Sequence, residues 1–152
     1  MTPKTEMLFK EWKELFNLSH DDISKQQAII DRKSSLERLL GVHFAQGSND
    51  EYISLFALQT AYMIIVKIIA YRIASIVRYK ETLIDFETLI DIDSEALRHH
   101  LVTLEDGAVF RDYGITNLLE GDFFSWYSTK EQWTSDIATD ISGVFSVLSL
   151  YS

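Results

Sequence analysis

From Tyr52 to Val77 the chain reads YISLFALQTAYMIIVKIIAYRIASIV, and its apolar residues cover nearly the whole circumference of a helix. Such a pattern predicts a helix at the centre of a bundle, because a helix apolar all round needs neighbours on every side. The stretches around it alternate between amphipathic patterns and short polar breaks. Thr2 and Pro3 predict a helix start, threonine as cap and proline at the first helical position. Met7, Leu8, Trp12, Leu15 and Phe16 then form an expected buried face. Ser19-His20-Asp21-Asp22 offers a cap for a second helix that runs to about Leu40, with Ile29, Leu36, Leu39 and Leu40 as its apolar side and Gly41 beyond it. Asn49 or Asp50 is suited to cap the long helix.

Beyond the long helix the pattern is less regular. LIDFETLIDID, within Tyr79 to Asp93, fits a short extended piece, a loop or a short helix. Ser94 is the expected cap of a helix carrying Leu97, Leu101 and Leu104, with Gly107 as its stop and one further turn over Phe110 to Tyr113. A last amphipathic helix is expected from Thr129, with Trp133, Ile137, Ile141, Val144, Phe145 and Leu148 on one side. These elements predict an all-α fold, a bundle of about five main helices around the central one, with residues 1–152 as a single helical domain.

Composition supports this reading. Apolar residues make up 47% of the 152 positions, enough for a core, and one proline and six glycines leave room for long helices. With no cysteine, disulfides, thiolate metal sites and cysteine nucleophiles are excluded together, which suits a cytoplasmic setting. No secretory pattern follows Met1. The uncharged run from Tyr52 to Val66 falls short of the roughly 18 to 20 apolar residues of a membrane span, and Lys67 and Arg72 then interrupt it. The last twelve residues are uncharged and apolar in mid-pattern, which leads us to expect a fragment of a longer multidomain protein.

The net charge of −9 is unevenly spread. Residues 1–80 hold 11 Lys and Arg against 9 Asp and Glu, whereas residues 81–140 hold 3 against 14. So acidic a half repels phosphates, and any weak DNA contact is expected from the first half, at Lys25, Arg32, Lys33 and Arg38. On the long helix Thr60, Lys67 and Arg78 fall within about 40° of one another. Two readings of Lys67 follow: its stem lies along apolar neighbours while its head reaches solvent or a carboxylate at the rim, or it makes an ionic tie to a neighbouring domain.

Candidate chemistry is sparse. Adjacent His99 and His100 point about 100° apart on a helix and do not converge on one ion. Glu120 and Asp122 flank Gly121 and read more simply as a turn than as a catalytic pair. Phe123, Phe124, Trp126 and Tyr127 suit core or interdomain packing better than base stacking beside those acids. Phosphate-binding loops, the nucleophile elbow and HExxH are all absent. No catalytic, cofactor-binding or metal-binding residue is expected in this chain.

Two segments nevertheless carry a resemblance. FALQTAYMIIVKIIA at Phe56 to Ala70, followed by Gly114 to Tyr127, of which Leu118 to Tyr127 is the most specific part, resembles the helical region that precedes the catalytic domain in large restriction-modification N6-adenine DNA methyltransferases, including fused restriction and methylase enzymes and relatives of type I modification subunits. The likeness extends over about residues 8–150. It implies a non-catalytic scaffold and connector that packs against a methyltransferase domain of the same polypeptide, with Lys67, Arg78, Glu120, Asp122 and the four aromatics as candidate interdomain positions. S-adenosylmethionine and DNA would be partners of the parent enzyme. The family's Asn-Pro-Pro-Tyr pocket cannot occur here, since Pro3 is the only proline, and no nuclease motif is present. The alternative is a free-standing acidic helical module that binds proteins or mimics DNA.

Overall fold

The computed structural model describes residues 1–20, 26–79, 86–112, 114–116 and 123–151, without the side chains of Ser75, Arg78 and Tyr79. Every regular element among them is helical: α1 Pro3–His20, α2 Gln26–Leu40, α3 Asp50–Tyr79, α4 Phe86–Ile90, α5 Ser94–Glu105, α6 Ala108–Asp112 and α7 Ser135–Ser149, with a 3-10 turn at Trp126–Ser128. The all-α expectation holds. The chain forms two compact units, Met1–Ala61 and Tyr62–Ser152, whose boundary falls within the continuous helix α3.

The first unit is built on aromatic rings. Thr2 caps α1, its hydroxyl accepting from the Thr5 backbone N–H at 3.3 Å. The buried face of α1 is Thr5, Phe9, Trp12 and Phe16, a stripe at spacings of four, three and four. Met7 and Leu15, expected on that face, are about half exposed. Phe9 and Trp12 instead pack on Phe56 of α3, with ring centroids 5.6 and 5.2 Å away. The Trp12 indole N–H donates to Gln59 Oε1 at 3.0 Å, so the ring buries its area without leaving a donor unpaired.

Helix α2 ends at Leu40 and Gly41 follows with φ +66°, the left-handed conformation that glycine adopts without steric cost. Leu36 is its buried residue, whereas Leu39 and Leu40 face outward. Ser19 does not start α2: it lies in the last turn of α1, its hydroxyl bonded back to the Leu15 carbonyl, and Asp21 and Asp22 lie outside the described residues. Likewise Asn49 directs its side-chain oxygen to Lys13 Nζ at 2.6 Å rather than onto the end of α3.

In the second unit α4 packs on α7, and α5 packs against α6, α7 and the 3-10 turn. The core joins Ile64 and Ile68 of α3, Phe86 and Leu89 of α4, Leu97, Leu101 and Leu104 of α5, Phe110 of α6, Tyr127, and Ala138, Ile141 and Phe145 of α7. Two expected boundaries shift. Asp93, not Ser94, caps α5, its Oδ2 accepting from the N–H groups of Glu95 and Ala96. Ser94 instead accepts from the Trp133 indole at 2.9 Å. Helix α7 begins at Ser135, because Thr134 adopts an extended conformation and accepts from the Ile137 N–H. Of the ambiguous Tyr79 to Asp93 stretch, Phe86–Ile90 is helical.

Burial of α3 is one-sided, contrary to the expected all-round burial. Leu55, Phe56, Thr60, Ile64, Lys67 and Ile68 are buried, whereas Tyr62, Ile69, Ile73, Ile76 and Val77 are exposed. By length and composition Asp50–Ala74 is apolar enough to cross a membrane, with mean hydropathy 1.9 and a third of it buried within the protein. A lysine within that span has its partner inside the fold.

Candidate functional site

That lysine is Lys67. Its side chain is fully buried, and Nζ donates to Glu105 Oε2 at 2.5 Å. Glu105 is 5% exposed, and its other oxygen accepts from the Tyr127 hydroxyl at 2.7 Å. Three elements distant in sequence, α3, the end of α5 and the 3-10 turn, are thus tied through one carboxylate. Each placement follows from local pattern. Lys67 lies on the inward stripe of α3 between Ile64 and Ile68, and Glu105 follows Leu97, Leu101 and Leu104 on the buried face of α5. Tyr127 is brought in by the tight turn at Trp126–Ser128.

A buried ion pair has to offset the loss of hydration of both charges, and it does so only when the carboxylate's remaining acceptor is also used. Tyr127 meets that requirement. The arrangement is suited to fixing positions, not to catalysis, since general acid or base work requires a group within reach of a substrate. None of the three residues lines a nearby cavity of this unit, a space of about 230 Å³ bounded by Ile68, Tyr71, Leu89, Leu104, Val109 and Phe145, with Thr88, His100 and Thr103 as polar wall residues.

The head of Lys67 therefore reaches a carboxylate in the interior, not at the rim, and the tie is to its own unit. Thr60, on the same stripe, is also turned inward, its hydroxyl bonded to the Phe56 carbonyl at 2.8 Å. The polar stripe expected to face another domain is, at these two positions, an internal one. Of the other candidate positions, Tyr127 belongs to the core, Trp126 packs against it, and Phe123 and Phe124 are half-buried. Glu120, Asp122 and the side chain of Arg78 lie outside the described residues.

Of the candidate DNA contacts, the three among the described residues do not share a face. Arg32 is held by Glu51, with Nε and Nη2 within 2.9 Å of one carboxylate oxygen, and its guanidinium lies over the rings of Phe16 and Tyr52. Lys33 is half-buried and Arg38 exposed, and the three positions point in widely different directions around α2. Lys25 lies outside the described residues. His99 Nε2 is 3.8 Å from Glu95 Oε1, and among the described residues no three metal-ligating side chains converge.

Glu95 also carries the clearest surface electrostatics. Its hydrogen bond from Arg98, at 2.6 Å, holds its carboxyl below the ordinary value and raises the guanidinium of Arg98. Arg98 in turn donates to the Ser128 carbonyl at 3.1 Å, adding a second tie between α5 and the 3-10 turn.

Sequence pattern alone does not single out Glu105, although it carries a signal. It is an acid at the position that continues the Leu97, Leu101, Leu104 face, and Lys67 is a cation on the inward stripe of α3. Comparison of the chain with family models, curated proteins and solved structures finds no match.

Proposed function

We propose that the chain is a non-catalytic helical scaffold and connector domain of a restriction-modification N6-adenine DNA methyltransferase. One observation carries most weight beside the resemblance. The two segments that bear the likeness, Phe56 to Ala70 and Gly114 to Tyr127, contribute Lys67 and Tyr127 to the same buried carboxylate. Residues far apart in the chain thereby act as one rigid brace, which fits a part whose task is to hold other domains in place. In this reading the exposed apolar end of α7, with Val147, Leu150 and Tyr151, docks on the S-adenosylmethionine-dependent domain, and the cytoplasmic parent enzyme supplies cofactor and DNA binding.

The test is reconstitution. The 152 residues alone are expected neither to bind S-adenosylmethionine in calorimetry nor to transfer methyl groups to DNA. The reading frame beyond Ser152 is expected to encode a Rossmann-like domain with Asn-Pro-Pro-Tyr. Methyl transfer by the isolated chain would overturn the proposal, as would a stop codon directly after Ser152, which favours the free-standing acidic module.

A further inference from the structure

The outward face of α3 within the second unit is an apolar stripe of unusual regularity. Tyr62, Ile69, Ile73 and Ile76 are 65, 39, 57 and 44% exposed, Ile65 between them is half-buried, and Val77 beside them is 78% exposed. No charged residue belongs to the stripe. Arg72, the nearest, lies over the Phe86 ring at 4.5 Å. The spacings from Tyr62 to Ile76 are three, four, four and three, which read the same in both directions about Ile69.

We propose that this stripe is a dimer interface, in which α3 pairs antiparallel with α3 of a second copy about a two-fold axis at Ile69. That register sets Tyr62 against Ile76 and Ile65 against Ile73, while Ile69 meets its own copy. A self-complementary patch is what a two-fold interface requires. Antiparallel pairing sets the helix dipoles head to tail, whereas parallel pairing would bring the acidic first turns, Asp50 and Glu51, together.

The area is sufficient for a weak dimer. The exposed stripe offers on the order of 600 Å² per copy, or about 1,200 Å² in total, at the lower end of specific interfaces. A lipid surface fits less well. The opposite side of the same turns holds the Lys67–Glu105 pair, and a net charge of −9 repels anionic headgroups. The inference is independent of the methyltransferase reading, because it concerns the 152 residues alone and a different face from the end of α7.

Sedimentation equilibrium of the chain over a range up to about 500 µM tests it. The mass should rise from 17.6 kDa toward twice that value, with a dissociation constant of about 10 to 100 µM. Ile69→Glu places like charges face to face on the axis and should weaken association at least about tenfold. Ile65→Lys and Ile73→Glu should each weaken it, and their combination in one chain should restore it, since opposite charges then meet across the axis. The chain lacks cysteine, so Ile69→Cys should form a disulfide-linked dimer on mild oxidation while Leu18→Cys, on the exposed side of α1, does not. Circular dichroism of each variant separates lost pairing from lost folding, and the cysteine variants decide the question should a charged one fail to fold. A monomer across the whole range overturns the proposal. So do an unchanged constant for Ile69→Glu, equal crosslinking of both cysteine variants, and flotation of the monomer with neutral phosphatidylcholine vesicles.

Discussion

Replacing Lys67 by methionine removes the cation while keeping a side chain of similar length, so the effect of lost charge is separated from that of a new cavity. Glu105, only 5% exposed, would then retain the Tyr127 hydroxyl but lose the opposite charge 2.5 Å away. Breaking a buried pair by removing one partner costs about 3–5 kcal/mol, because the remaining charge stays out of water without compensation. Against a total stability of about 5–15 kcal/mol for a domain, this is a large fraction. At a urea slope of about 2 kcal/mol per molar, the midpoint should fall by about 2 M. Trp126 and Trp133 lie in the second unit and Trp12 in the first, so tryptophan fluorescence in a Trp12→Phe background reports the unit that holds the pair. Adding Glu105→Leu and Tyr127→Phe to Lys67→Met should recover most of the loss, since an apolar replacement of the whole group leaves nothing charged or unpaired. A midpoint shift below about 0.3 M for Lys67→Met would refute the reasoning, because a pair open to water contributes little.

Tyr127→Phe alone should cost about 1–3 kcal/mol in the same assay, as Glu105 Oε1 loses the hydrogen bond from the Tyr127 hydroxyl. In the first unit Phe56→Ala removes the ring on which Phe9 and Trp12 pack and should cost about 3–5 kcal/mol by thermal or urea unfolding. Asp93→Ala should lower stability by about 1 kcal/mol, and Asp93→Asn by less, because asparagine keeps an acceptor for the N–H groups of Glu95 and Ala96. The Glu95 carboxyl is held below its ordinary value of 4.5, mainly by the Arg98 hydrogen bond, so its contribution is present above that pH and lost as pH falls through the lower folded value. Arg98→Gln should remove this acid-side loss, which the pH dependence of the unfolding midpoint between about pH 2 and 5 would show.

The extent to which the fold was legible varies by element. The long helix, the Thr2 cap, the Gly41 stop and the helix through Leu97, Leu101 and Leu104 rest on contacts within a few residues, and a linear pattern contains that information. Ser19 and Ser94 have the residue type of a cap but not its role, because a hydroxyl can bond several nearby groups. Ser19 turned back to Leu15, and Asp93 had the better geometry for the first N–H groups of α5. Hydrophobicity alone puts Met7 and Leu15 in the core, yet the buried stripe of α1 runs through Thr5 and Phe9, because the rings of Trp12 and Phe16 determine which side faces Phe56.

The candidate site shows the same division. From sequence, Lys67 was an interruption in an apolar helix and Tyr127 one member of an aromatic cluster; what they contact depends on how α5 is turned. Sequence by itself determined that the chain is helical, that α3 is its long element with apolar residues all round, and that no familiar catalytic motif is present, since these follow from local periodicity and residue type. Only the tertiary structure decided that α3 is buried on one face, that Lys67 ends on Glu105 in the interior, and that the stripe from Tyr62 to Ile76 remains outside. The physical reason is that burial depends on neighbours: a helix apolar all round has the means to be enclosed, but whether it is enclosed depends on which other helices pack around it.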